Sequence, residues 1–168
     1  MVDLWYKVID LLEGDVCITG YVDPITTGGD SGIRRGEQPE LGGFTNCICV
    51  RQPLEVPNLG IRRGKRIKPP IYDVTMLISV FVVEGQGDMP ADVKCALIAQ
   101  CVKERIEGCE LNDWCNDRSI LIYDKGFDGM QTGVYYDRAT QARRSDMRFV
   151  FTVGRCSFRT PLPMCQEE

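Results

Sequence analysis

The sequence predicts an α+β fold: a single mixed or antiparallel sheet, two helices packed on one face of it, and long protruding loops. Three observations carry that expectation. From Ile71 to Val83 the residues alternate at period two. Tyr72, Val74, Met76, Ile78, Val80 and Val82 make a wholly apolar side, and Asp73, Thr75, Leu77, Ser79, Phe81 and Val83 make a mixed one. Such a strand belongs in a sheet covered on one side. Past the turn Glu84–Asp88, the residues Ala91, Cys95, Ile98, Val102 and Ile106 recur at three- and four-residue spacing, a stripe that Ala99 and Cys109 extend. That is an amphipathic helix. Finally, the order of elements is helix, three strands, helix, three strands, and two helices are too few to cover both faces of the sheet.

In chain order, Val2–Glu13 reads as a helix with Leu4, Trp5, Val8, Leu11 and Leu12 on one face, Asp3 as its cap and Gly14 as its end. Val16–Val22 reads as a short strand. Asp23–Gly43 is poor in apolar residues and rich in Gly, Pro and Thr, so it is expected to protrude as a loop (about 23–43). Phe44–Arg51 is the next strand, with Ile48 and Val50 alternating against Cys47 and Cys49. Gln52–Pro70 is a second long loop (about 52–70). Its Gly60–Gly64 repeats the five letters of Gly32–Gly36, but no flanking periodicity accompanies the pair, so this is no repeat architecture.

For the second helix, Asp88 is the expected cap and Pro90 sits in the first turn. Asp92 and the pair Lys103 and Arg105 complement the helix dipole, and Gly108 supplies the stop. Ser119–Tyr123 reads as a short strand, Lys125–Gly129 as a turn and Gly133–Tyr136 as another short strand. Asp137–Asp146 is a polar connection. Met147–Val153 is the last strand, with Met147, Phe149, Phe151 and Val153 on one face, and residues 160–168 form a loose tail.

The 168 residues suit one domain, 1–168, and 43% hydrophobic residues suffice for a core. A net charge of −4 argues against a general nucleic-acid binder. There is no histidine, which excludes Ser-His-Asp and Cys-His catalysis within the chain and removes the commonest metal ligand. The nine cysteines are odd in number and contain no C-x-x-C, so free thiols, several of them buried, are expected in a reducing compartment. No phosphate loop is present. Gly85 and Gly87 open a helix after a strand, but Glu84 and Asp88 make that turn acidic. Asp113, Asp117, Asp124 and Asp128 are spread through turns, with no paired carboxylates. Neither a cofactor, a metal nor an enzymatic activity is expected. Asp3, Lys7, Asp10 and Glu13 interrupt any signal-peptide core, and no run is long and apolar enough to span a membrane.

What stands out is surface chemistry. Arg62, Arg63, Lys65, Arg66 and Lys68 place five positive charges in a glycine- and proline-bounded loop, and Arg34 and Arg35 occupy the twin Gly32–Gly36 stretch. These seven are the candidate partner-binding residues, directed at an acidic protein surface. The alternative is a nucleic-acid-binding α+β module using loop 62–68, with Tyr72, Tyr135, Tyr136, Phe149 and Phe151 as stacking residues. Alternating aromatics are more often core, and the acidic net charge lowers this reading further.

The stretches YDVTMLISVFVVEGQGDMPADVKCALIAQCVKERIEG and YYDRATQARRSDMRFVFTV, within Tyr72–Val153, resemble the tail-terminator (tail-completion) proteins of long-tailed bacteriophages in layout and hydrophobic pattern. The resemblance implies a small structural protomer without enzymatic activity. Such a protomer forms a homo-oligomeric ring, a hexamer, on the last ring of the tail tube, stops its growth and joins the head's neck. The implied partners are the tail tube protein and a neck or head-completion protein. No membrane is involved, and nucleic acid only passes transiently through the ring. The implied location is the virion tail or neck, after assembly in the host cytoplasm. The two long loops and the cysteine count depart from smaller members of the family.

Overall fold

The computed structural model describes residues 2–24, 31–36, 44–57, 71–85, 88–109 and 120–155. Within them the chain runs α1 (Val2–Glu13), α2 (Val16–Thr19), β1 (Ile33–Arg35), β2 (Asn46–Val50), β3 (Leu54–Pro57), β4 (Ile71–Val83), α3 (Ala91–Gly108), β5 (Ile120–Gln131), β6 (Tyr135–Asp137) and β7 (Ala142–Arg155). The seven strands form one mixed sheet in the order β1-β2-β4-β7-β5, with β3 paired to β4 and β6 paired to β7. The β1–β2 pair is parallel and the other pairs are antiparallel. The fold class is therefore the one expected, α+β on a single sheet.

The centre is β4, which keeps an unbroken antiparallel register with β7 from Ile71↔Gly154 to Val83↔Ala142. Directly opposed residues share a face. Val74, Met76, Ile78 and Val80 therefore lie beside Phe151, Phe149, Met147 and Ser145, and all are buried. The stripe Cys95, Ile98, Ala99, Val102 and Ile106 of α3 packs on this face, and Leu4, Val8 and Leu12 of α1 complete the same core cluster. The Trp5 indole N–H donates to the Val50 carbonyl at 2.8 Å, which fixes α1 to the sheet by a polar bond as well.

Several local expectations are corrected. Val16–Val22 is no strand. The Asp15 carboxylate accepts from the Cys17 and Ile18 N–H groups at 2.9 and 3.1 Å, and that cap starts the short helix α2. Only Ile18 of α2 enters the core, and Val16 is 86% exposed, so the helix buries one side chain rather than an alternating face. The connection 23–43 contains β1, and 52–70 contains β3. In each, a few residues find open hydrogen-bonding positions on a neighbouring strand. Gly32 permits the first of these: a Cβ there would lie 2.4 Å from the Asp23 carbonyl oxygen. The Asp23 carboxylate in turn accepts from the Thr45 hydroxyl at 2.7 Å and the Asn46 N–H at 3.1 Å.

Asp88 does not cap α3. Pro90 holds the N-cap position without a side-chain bond, and the helix closes with Cys109 in an extended conformation just past Gly108. Lys125–Gly129 is no turn but part of β5, whose pairing with β7 shifts register between Phe127 and Gln131. The expected short strand at 119–123 lengthens to Ile120–Gln131. The one at 133–136 is Tyr135–Asp137. The last strand begins at Ala142, directly after Gln141 at φ 53. Ser119, residues 160–168 and the Asp3 side chain lie outside the described part of the chain.

Ile98 is fully buried against β4 and β7. Ile98→Asp would bury an unpaired carboxylate and should lower stability by about 3 kcal/mol or more. Urea denaturation of the purified variant checks this, and a wild-type midpoint would refute the helix register.

Candidate interaction face

The three described helices lie on one face of the sheet, and among the described residues no element packs on the other. Strand pairing lays that second face out in rows. Arg34, Cys49, Ser79 and Asp146 form one row. Cys47, Phe81, Arg144 and Tyr135 form the next. Leu77 lies opposite Arg148, and Leu54, Thr75 and Val150 lie in line beyond them.

One half of this face is sealed. Cys47, Cys49, Phe81 and Ala142 form a second small core with Phe44 and Val83 against it. Two guanidinium groups close it from above: Arg34 stands 4.5 Å over the Phe44 ring and Arg144 stands 5.1 Å over Phe81. The sealing explains why Cys47 and Cys49 are buried although no helix covers them. The two thiols share a hydrogen bond that raises Cys47 and lowers Cys49, and Arg34, Arg144 and Arg51 pull Cys49 further down. Without access, such a thiol is structural rather than reactive.

Arg144 is also the hub of a charged network. Its Nε donates to Asp146 at 2.9 Å and its terminal nitrogen to Asp137 at 3.2 Å, and side-chain exposure is only 11%. The Ser79 hydroxyl donates to Asp146, as does the Tyr135 hydroxyl at 2.8 Å. Asp137 accepts from the Ala139 N–H and the Thr140 hydroxyl, both at 3.0 Å. Burial pushes the Asp146 carboxyl up, but the bonds from Ser79, Tyr135 and Arg144 outweigh it and leave it below the usual range. Asp137 behaves alike: burial is outweighed by the Ala139, Thr140 and Arg144 donors. Burial, then the bond to Asp146, pushes the Tyr135 hydroxyl up to about 12. The network fastens β6 and its turn to the sheet.

The other half of the face is open. Asp73, Thr75, Leu77, Arg148, Val150 and Thr152 are all half-buried, and Leu54 and Val56 at its margin are 66% and 51% exposed. Beside Leu77, the Nε groups of Arg51 and Arg148 are shielded from solvent yet have no acceptor. Donors in that state are costly unless an acceptor is brought to them. Arg148 keeps one partner, Asp128, through its terminal nitrogen.

Of the expected partner-binding residues, Arg34 and Arg35 lie on opposite faces of β1. Arg34 caps Phe44, and Arg35 sits 4.4 Å over the Tyr6 ring and donates to its hydroxyl. Arg62, Arg63, Lys65, Arg66 and Lys68 lie outside the described residues. Leu54, Val56 and the Arg144 network escaped the sequence reading. The signal for the network was present, because Arg144, Asp146, Arg148, Val150 and Thr152 alternate with the apolar set of the last strand. Six cysteines are described, none of them in a disulfide: Cys17, Cys47, Cys49, Cys95, Cys101 and Cys109. Among the described residues no cluster of three His, Cys, Asp or Glu side chains is placed to hold a metal, and no helix is long and apolar enough to cross a membrane.

This geometry has a structural counterpart. The fold is that of a chain in the native gene transfer agent (GTA) virion particle. The two superpose with a TM-score of 0.61 at 14% sequence identity, over 90% of this chain and 94% of that one. No protein-family model matches the sequence, and no curated protein matches it.

The network contributes to both limbs of the pH profile. Asp137 and Asp146 have lowered folded pKa values, so their contribution is present above the unfolded value of about 3.9 and is lost as pH falls below it. Tyr135 has a raised one, so its contribution is full below about pH 10 and is lost as pH rises toward 12. Tyr135→Phe should therefore lower stability at pH 7 by about 1 kcal/mol, flatten the alkaline limb, and weaken the acid limb only by the part of the Asp146 lowering that the Tyr135 hydroxyl supplies. Urea melts from pH 3 to pH 11.5 test it, and an unchanged alkaline limb would count against the Tyr135–Asp146 bond.

Proposed function

We propose that this chain is a structural virion protein, and within that class a ring-forming tail terminator that caps the tail tube and joins it to the head's neck. The observation that carries the proposal is the open half of the sheet face. An apolar strip of Leu54, Val56 and Leu77 lies there beside Arg51 and Arg148, whose Nε groups lack acceptors. A ring needs a head-to-tail contact that closes on itself, and a sheet face free of helices supplies one half of it. The likeness to a chain of the GTA virion particle supports the virion class through near-complete mutual coverage of the two chains.

On this reading the purified chain assembles into a species of six 18.9 kDa protomers. The double variant Leu54→Asp, Val56→Asp changes two exposed side chains, so its melting temperature should match wild type while the ring is lost. Mass photometry decides. A wild-type chain that stays monomeric and is missing from purified particles overturns the ring, and a double variant that still forms rings moves the interface elsewhere.

The basic stretch Arg62–Lys68 serves, in the same proposal, as the contact to an acidic surface on a neighbouring protomer, the tail tube or the neck. Changing Arg62, Arg63, Lys65 and Arg66 to Gln should alter stability by no more than about 0.5 kcal/mol, slow tail completion and flatten its salt dependence. Tail completion at the wild-type rate across a salt series would show that these charges only solvate the loop.

A further inference from the structure

We propose that Cys17 and Cys101 are an oxidative cross-linking site that fastens α2 to α3. Their sulfurs lie 2.7 Å apart although the residues are 84 positions apart in sequence. That is closer than two unbonded sulfurs rest, and a small movement brings them to the ~2.05 Å of a covalent bond. The approach is built into the fold. Asp15, which caps α2, pairs with the Arg105 Nε at 3.5 Å, and Arg105 lies one turn beyond Cys101 on the same side of α3. So α2 lies on α3 through one ionic contact and one sulfur–sulfur contact, from residues two apart on one helix and four apart on the other.

Access separates this pair from the other described thiols. Cys17 is exposed and Cys101 is half-buried, whereas Cys47, Cys49, Cys95 and Cys109 are buried. A small disulfide such as oxidised glutathione is the oxidant. The Cys17 thiolate attacks one of its sulfurs, breaking that S–S bond and releasing one small thiol. Cys101 then gives its proton to solvent and attacks the Cys17 sulfur, which expels the second small thiol. Two protein thiols lose two electrons and the small disulfide gains them. The bond closes a span that contains β1 to β4, so it restricts the unfolded chain and leaves the folded one as it is. The occasion for oxidation, passage of a finished particle from the cell interior to an oxidising exterior, rests on the virion reading. The chemistry of the pair does not.

The test uses the purified full-length chain, held either with dithiothreitol or with excess oxidised glutathione. Remaining thiols are then alkylated, and the protein is digested and mapped by mass spectrometry. The expected result is a joined Cys17–Cys101 peptide as the dominant cross-link, and a melting temperature higher by on the order of 10 °C in the oxidised sample. Cys17→Ser, at an exposed position, should match the reduced wild-type melting temperature and lose both the joined peptide and the rise. Absence of the joined peptide in the oxidised wild type overturns the proposal, as does an equal rise in Cys17→Ser. Mass photometry of the same samples reads ring formation separately, so a chain that forms rings without the cross-link refutes the cross-link alone.

Discussion

The register between β4 and β7 is the constraint on which the rest of the structure depends. Thirteen consecutive pairs, from Ile71↔Gly154 to Val83↔Ala142, decide which side chains share a face. A slip of β7 by one residue against β4 would turn Met147, Phe149 and Phe151 outward and carry the Arg144 and Asp146 charges into the core. The apolar seat for α3, the sealed half of the second face and its open half all follow from that alignment. Helix α1 and the short parallel strand β1 then attach to β2, at the margin of the sheet that β4 has organised.

The second face shows how a sheet without helices on one side manages its polar groups. Near β2 it forms a small core of its own, closed by guanidinium planes over Phe44 and Phe81 and tied by the Arg144–Asp146–Tyr135 network. Farther along, the same face loses that cover. The Nε groups of Arg51 and Arg148 stand without acceptors beside Leu77. In the proposed ring, a neighbouring protomer would bring backbone carbonyls and carboxylates to donors already held in place.

Much of the fold was legible because the signals are local and periodic. The bounds of α1 and β4 and the buried stripe of α3 were readable from spacing, since a strand covered on one side alternates at two and a helix on a sheet repeats near 3.6. The interaction face was legible only as an uncovered side. Its content depends on cross-strand neighbours: Arg144 meets Phe81 and Asp146 meets Ser79 only through the β4–β7 pairing. Asp137–Asp146 looked like a connection because charges dominate it, yet Asp137 ends β6 and Ala142–Asp146 begins β7, where Arg144 and Asp146 share one face. Val16–Val22 looked like a strand because it is apolar, yet one aspartate placed before it was enough to start a helix.

The sequence by itself determined the fold class, the elements α1, β4 and α3 and the apolar face on which they meet, because each is encoded in side chains a few positions apart. Only the tertiary structure decided the rest. It recruited β1 and β3 from stretches without strand periodicity, because neighbouring strands offered unpaired N–H and C=O groups. It turned the first Gly-Ile-Arg-Arg-Gly into an edge strand with Arg34 over Phe44 and Arg35 over Tyr6. It also brought Cys17 to Cys101 across 84 residues. Contacts between distant segments have no period to read, and they exist only once the sheet has fixed where each segment lies.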